Sequence, residues 1–272
     1  MTYKTILVHV TGEPEFQTVM APAFDLARRC GAHLIGLAVV PPYILQPSFV
    51  PGATSSVVEE HRKVFIAVAQ RLKAAFETSA REAGISAEWV DDDAGLLPVW
   101  RSAVNYGRAA DLIISGISDD EGTEQLVLQS GRPVLFVPAG CDAGGVGKRI
   151  TVAWNGRREG TRAVFDALPL LKQADAVNVV WVNPKDDSAT VDDVPTGDLC
   201  TALARHGIKC EAVELSAPDA AVGDALADYM QAWGSDLLVM GCYGHSRFRE
   251  FVLGGATRKV LRTTVLPVLM SH

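Results

Sequence analysis

Short apolar runs rich in β-branched residues alternate with longer amphipathic stretches along this 272-residue chain. Alternation of that kind points to strand-helix-strand units wound about a parallel sheet, so the fold class expected is α/β. In the first half the apolar runs predict strands at Ile6–Val10, His33–Val40, Glu88–Asp91, Asp111–Ser115 and Pro133–Val137. Helical spacing predicts helices over Pro14–Cys30, Val57–Ala83 and Leu97–Ala109. In the longest of them Leu72, Ala75, Phe76 and Ala83 recur at helical spacing, so one face should pack on the sheet. The second half predicts strands at Ile150–Trp154, Ala176–Val182, Lys209–Glu214, Asp236–Met240 and Pro267–Met270, with helices over Arg158–Lys172, Thr196–His206 and Asp219–Trp233.

The two halves repeat one another. KTILVHVTGE opens the first and KRITVAWNGR the second, each an apolar run ending at a polar residue before Gly12 or Gly156. DLIISG ends at Gly116 and DLLVMG at Gly241, and each half closes on a proline-led strand, PVLFVP or PVLM. Between them, residues 139–148 (AGCDAGGVGK) hold four glycines and no apolar period, as a linker would. The expected organisation is therefore two tandem five-stranded parallel-sheet domains, residues 1–140 and 147–272. In open sheets of this type ligands sit beyond the carboxyl ends of the strands, where the winding reverses. That rule singles out Thr11 and Gly116 in the first half, Asn155 and Gly241 in the second.

The halves differ at one place. Gly116 precedes Pro133 by seventeen positions, whereas Gly241 precedes Pro267 by twenty-six, so the first half lacks nine residues there. The longer stretch carries Gly241, Gly244, Gly254 and Gly255, then Ala256 and Thr257 at the start of an expected helix. Glycines permit close approach by an anion, and a helix start aims free N–H groups at it, so the stretch reads as a phosphate cradle. Five cations (Arg247, Arg249, Arg258, Lys259, Arg262) face one carboxylate, Glu250, in this stretch. Its counterpart holds Asp119, Asp120, Glu121 and Glu124 against Arg132. One helix-terminus contact contributes only ~0.3–1 kcal/mol, or up to ~2 when partly buried. Micromolar affinity needs about 8 kcal/mol, so several contacts must converge.

Composition narrows the function classes. The net charge of -7 argues against a protein that coats nucleic acid or anionic membrane. No apolar run approaches the roughly 18 residues of a membrane span, and the first ten residues lack signal-peptide features, so a cytoplasmic protein is expected. Five scattered cysteines and six scattered histidines show neither metal-ligand spacing nor a disulfide framework.

The spacing Gly241-x-x-Gly244, nine residues, then Gly254-Gly255 resembles the G-x-x-G, nine residues, G-[S/T] motif of nucleotide-binding universal stress proteins. With the repeat, the chain looks over nearly its full length like a tandem universal stress protein, whose sheet is shared with the adenine nucleotide alpha hydrolases. Two positions depart from the family pattern. Gly255 stands where Ser or Thr is usual, with Thr257 nearby, and Asn155 and Thr11 stand where an aspartate usually follows the first strand. The resemblance implies regulatory binding of an adenine nucleotide, ATP or ADP, with Mg2+ a candidate companion, by the carboxyl-terminal half, and a degenerate amino-terminal half. Base and ribose would lie near Asn155 and Val182, and phosphates near Gly244, Gly254, Gly255, Ala256 and Thr257; Trp154, Met240, Gly241, His245, Ser246 and Arg247 complete the candidate nucleotide-binding residues. It also implies pairing along the last strands, within the chain or in a homodimer.

Plainer readings accompany each residue. The glycines serve turns or helix entries without a ligand, and His245, Ser246 and Arg247 serve equally as exposed loop residues. Cys242 is a thiolate favoured by Arg247, or an inert small side chain. His9 is a switch or a buried spacer, Asp91-Asp92-Asp93 a magnesium site or a charged strand end, and Trp154 and Trp181 an adenine wall or core packing. No P-loop and no residue placed to orient a water is found, so catalysis is not expected beyond slow hydrolysis. An adenylating enzyme would need a Ser/Gly-rich loop after the first strand, where TGEPEF and NGRREG stand, and a dehydrogenase would need G-x-G-x-x-G there. A ligand-free dimerisation or interaction scaffold remains the alternative.

Overall fold

The computed structural model describes residues 2–42, 54–117, 121–141, 145–184, 194–218, 221–242 and 255–272. Among the described residues ten strands form one sheet: β1 (Thr5–Val10), β2 (His33–Val40), β3 (Ala87–Asp93), β4 (Leu112–Gly116), β5 (Val134–Val137), β6 (Arg149–Ala153), β7 (Ala176–Val182), β8 (Cys210–Leu215), β9 (Leu237–Gly241) and β10 (Val268–Ser271). Their order is β3-β2-β1-β4-β5-β10-β9-β6-β7-β8, so each half contributes the same five-strand order in mirror sequence. Pairing is parallel within each half. At the centre β5 and β10 run antiparallel, with Leu135 opposite Leu269.

Helices cover both faces of the sheet, which is why its strands are continuous apolar runs rather than alternating ones. Successive side chains of a strand point to opposite faces. Ile6, Val8, Ile114, Leu135, Val152, Val239 and Leu269 therefore join one buried layer, and Leu7, Ile113, Phe136, Leu238, Val268 and Met270 the other. The first layer is capped by α1 (Glu13–Cys30), α2 (Thr54–Ala83), α5 (Arg158–Asp166), α6 (Leu168–Leu171) and α7 (Thr196–Arg205). The second is capped by α3 (Trp100–Gly107), α4 (Glu121–Ser130), α8 (Val222–Trp233) and α9 (Gly255–Thr263). Both layers run without interruption from one half into the other. Phe76 of α2, fully buried, packs its ring 5.1 Å from Trp89 and 5.7 Å from Phe24.

Two elements differ from the sequence expectation. The helix expected over Arg158–Lys172 divides into α5 and α6, because Pro169 has no N–H to return to Phe165 and favours a fresh start. Helix α4 was not expected at all; it buries Thr123, Leu126, Val127 and Ser130 on helical spacing within only ten residues. The described end of the linker is fastened, not loose: Val146 is buried, its carbonyl accepts from Arg29 at 2.8 Å, and Asp236 accepts the N–H groups of Gly147, Lys148 and Arg149.

Candidate functional site

At the carboxyl edge of the second half the ends of β6, β7 and β9 lie side by side. Ala153 is in register with Val180 on one side and Met240 on the other. Trp154, Asn155, Val182, Met240 and Gly241 are thereby brought to one edge. Trp154 is buried, and its indole N–H donates to the Val194 carbonyl at 2.8 Å. Asn155 is exposed, and its side-chain oxygen accepts the Arg157 N–H at 3.2 Å, turning the chain into α5. Val182 is half-buried against the layer in which Met240 is buried, opposite the layer of Trp154.

Gly241 has a packing reason for being glycine. A Cβ there would stand 2.3 Å from the carbonyl carbon of Glu159 and 2.4 Å from the nitrogen of Gly160, both backbone of the first turn of α5. The close approach is filled by this chain's own helix.

Because β9 and β10 are parallel, α9 must run back from the carboxyl edge, so its first turn starts on the same side as Asn155. Gly255, Ala256 and Thr257 form that turn, with Thr257 buried. Helix starts of this kind carry N–H groups without intrahelical partners and about half a positive charge. Gly244, His245, Ser246, Arg247 and Gly254 lie outside the described residues. Two of the cations that follow are turned to ion pairs: Arg258 meets Glu124 of α4 at 2.7 Å, and Lys259 meets Asp224 of α8 at 2.7 Å. The basic stretch and the acidic stretch of the two halves thus meet at one pair, and the charge contrast along the chain is smaller in space than in sequence.

The equivalent edge of the first half is closed by a carboxylate. Glu15, in the first turn of α1, accepts the Thr11 N–H at 2.6 Å and the Thr11 hydroxyl with one oxygen, and the Gly116 N–H at 2.7 Å with the other. Its head bridges the ends of β1 and β4, where the winding reverses. A Cβ on Gly116 would overlap the Glu15 side chain at 2.4 Å. Glu159 stands at the matching place in the second half, but there its backbone meets Gly241 and its charge lies near the Cys242 thiol.

The remaining candidates resolve to the plainer readings. Cys242 is buried and donates to the Ser271 carbonyl at 3.4 Å; burial, with the Glu159 carboxylate adding to it, raises its pKa, which is the opposite of a favoured thiolate. His9 is buried with Nδ1 3.3 Å from the Ser115 hydroxyl. Asp91 accepts the Trp89 indole N–H, Asp92 accepts the Asp93 N–H, and Asp93 pairs with Arg62, so the three carboxylates serve separate partners. Among the described residues no cluster of metal-ligating side chains occurs. Trp181 packs half-buried against the first core layer. Sequence reasoning missed Glu15, Val194 and Asn183. Asn183 follows β7 with φ +55°, and its amide clamps the Ala217 backbone through both its oxygen and its nitrogen. The Asn183-Pro184 pair after a strand was its available signal.

Residues 147–272 match the universal stress protein family. The universal stress protein Slr1230 of Synechocystis is 45% identical over 67 residues, 25% of this chain and 22% of that protein, so the match spans about a fifth of the relative's length. A universal stress protein structure from Archaeoglobus fulgidus DSM 4304 covers 98% of this chain and 95% of its own at a TM-score of 0.70 and 16% identity. The protein PA1789 of Pseudomonas aeruginosa PAO1, described as functionally unknown, covers 99% of this chain and 92% of its own at 0.58 and 15%. Both establish the α/β fold over the whole length, with the universal stress protein match resting on the second half. No helix among the described residues is long and apolar enough to cross a membrane.

Proposed function

We propose that this chain is a tandem universal stress protein whose carboxyl-terminal half binds an adenine nucleotide, ATP or ADP, as a regulatory ligand, while its amino-terminal half serves as a non-binding partner paired along β5 and β10. The observation that carries this reading is the difference between the two strand-end crevices. In the first half Glu15 occupies the reversal point with a negative charge and uses the Thr11 and Gly116 N–H groups that an anion would need. In the second half the matching Glu159 keeps its backbone against Gly241, Asn155 replaces Thr11 and accepts the Arg157 N–H, and α9 opens on the same edge. Asn155 would bond the ribose, Val182 would lie beside the base, and the first turn of α9 would face the phosphates, with Mg2+ as counter-ion. The role is that of a sensor in the cytoplasm; no residue is assigned to catalysis.

A second reading, a ligand-free scaffold, draws on the ion pairs of Arg258 and Lys259 and on Gly241 being packed against α5. One experiment separates the two. Mass spectrometry of small molecules released from the purified chain is expected to recover about one ATP or ADP per wild-type chain and none from Gly244→Asp. Absence from both, with no rise in melting temperature on adding Mg-ATP, rejects nucleotide binding in favour of the scaffold.

A further inference from the structure

Away from the strand-end crevices, two half-buried thiols belong to no role described so far. Cys200 lies on α7 and Cys210 opens β8, which among the described residues is an edge strand of the sheet, paired with β7. Helix α7 packs on β8 and the chain returns between them through a turn in which Ile208 donates to Leu203. Both thiols lie half-buried against the same core layer, on two elements in direct contact. Both are free and both are partly open to solvent, unlike Cys30 and Cys242, which are buried.

We infer that Cys200 and Cys210 form a reversible modification site, a dithiol that an organic or hydrogen peroxide converts to a disulfide bolting α7 to the edge strand. The steps balance in two stages. The Cys200 thiol loses its proton and its sulfur attacks the peroxide, breaking the O–O bond, releasing the alcohol or water and leaving a sulfenic acid. The Cys210 sulfur then attacks Cys200, its proton leaves with the hydroxyl as a second water, and the S–S bond forms. Burial, then the adjoining Cys200 thiol, pushes Cys210 up to about 12, which disfavours Cys210 as the thiolate attacking the peroxide. The bolt would also hold the start of α7, two residues after Val194, whose carbonyl receives the Trp154 indole N–H.

The test uses the reduced full chain, exposed to excess tert-butyl hydroperoxide, alkylated with N-ethylmaleimide and digested with trypsin without reductant. Trypsin cuts at Arg205 and Lys209 between the two cysteines, and a further digestion with Glu-C at Glu211 and Glu214 separates Cys210 from Cys242, which otherwise shares its peptide up to Arg247, so only a disulfide can join the Cys200 and Cys210 peptides. The expected result is a joined Cys200–Cys210 peptide pair, two hydrogens lighter than its parts, that dithiothreitol separates with return of two alkylatable thiols per chain. Cys210→Ala should instead leave Cys200 as a sulfenic acid trapped by dimedone. Full alkylation of both thiols after peroxide, or Cys200 joined to any other cysteine, would overturn the assignment.

Discussion

Glu15 and Glu159 each stand three residues beyond the glycine that follows the first strand of their half, yet they do opposite things. The first sends its carboxylate across to Gly116, and the second keeps its backbone against Gly241. The two glycines consequently differ in what a methyl group would cost. At Gly241 the obstacle is helix backbone at 2.3 Å, which cannot rotate away, whereas at Gly116 it is a flexible side chain. Gly241→Ala should therefore lower unfolding free energy by about 1–3 kcal/mol, the usual cost of overpacking. Gly116→Ala should cost less, and urea midpoints of the two variants check the ranking. Gly241 was legible as a special position from DLLVMG, but its reason was not. A sequence shows where a glycine falls, not which backbone lies against it.

The elements themselves were largely legible, because burial on both faces leaves continuous apolar runs and single-face burial leaves helical spacing. Helix α4 escaped because its first turn is acidic and its buried stripe is short. What fastens elements together was less visible. The segment ahead of β1 is tied to α5 by Tyr3, whose buried hydroxyl donates to the Asp166 carbonyl at 2.7 Å. Burial, with the nearby Asp166, Cys30 and Asp111 charges adding to it, raises the phenol pKa well above its usual place. The unfolded chain therefore gives up this proton first, from about pH 10, and the native state resists. The stability Tyr3 contributes is present below that pH and is lost as pH climbs beyond it. Unfolding free energies measured from about pH 9 to about pH 11 should fall more steeply for wild type than for Tyr3→Phe, which also forgoes about 1 kcal/mol of hydrogen bond at neutral pH.

At the scale of the molecule the antiparallel seam of β5 and β10 joins two similar halves into one sheet and two shared core layers. Leu269, fully buried and opposite Leu135, sits in that seam. Leu269→Ala should cost about 2–5 kcal/mol. Because both layers cross the seam, the loss should shift one cooperative transition in which tryptophan fluorescence and far-UV circular dichroism coincide. Two separated transitions would show the halves to be independent. The sequence by itself determined the α/β class, the repeat and the landmarks of each crevice, since these follow from local apolar periodicity and glycine placement. Only the tertiary structure decided that Glu15 reaches Gly116 across 101 positions and that Arg258 meets Glu124 across 134. Such contacts depend on which elements the sheet order makes neighbours, and on side-chain reach once they are, neither of which any local pattern encodes.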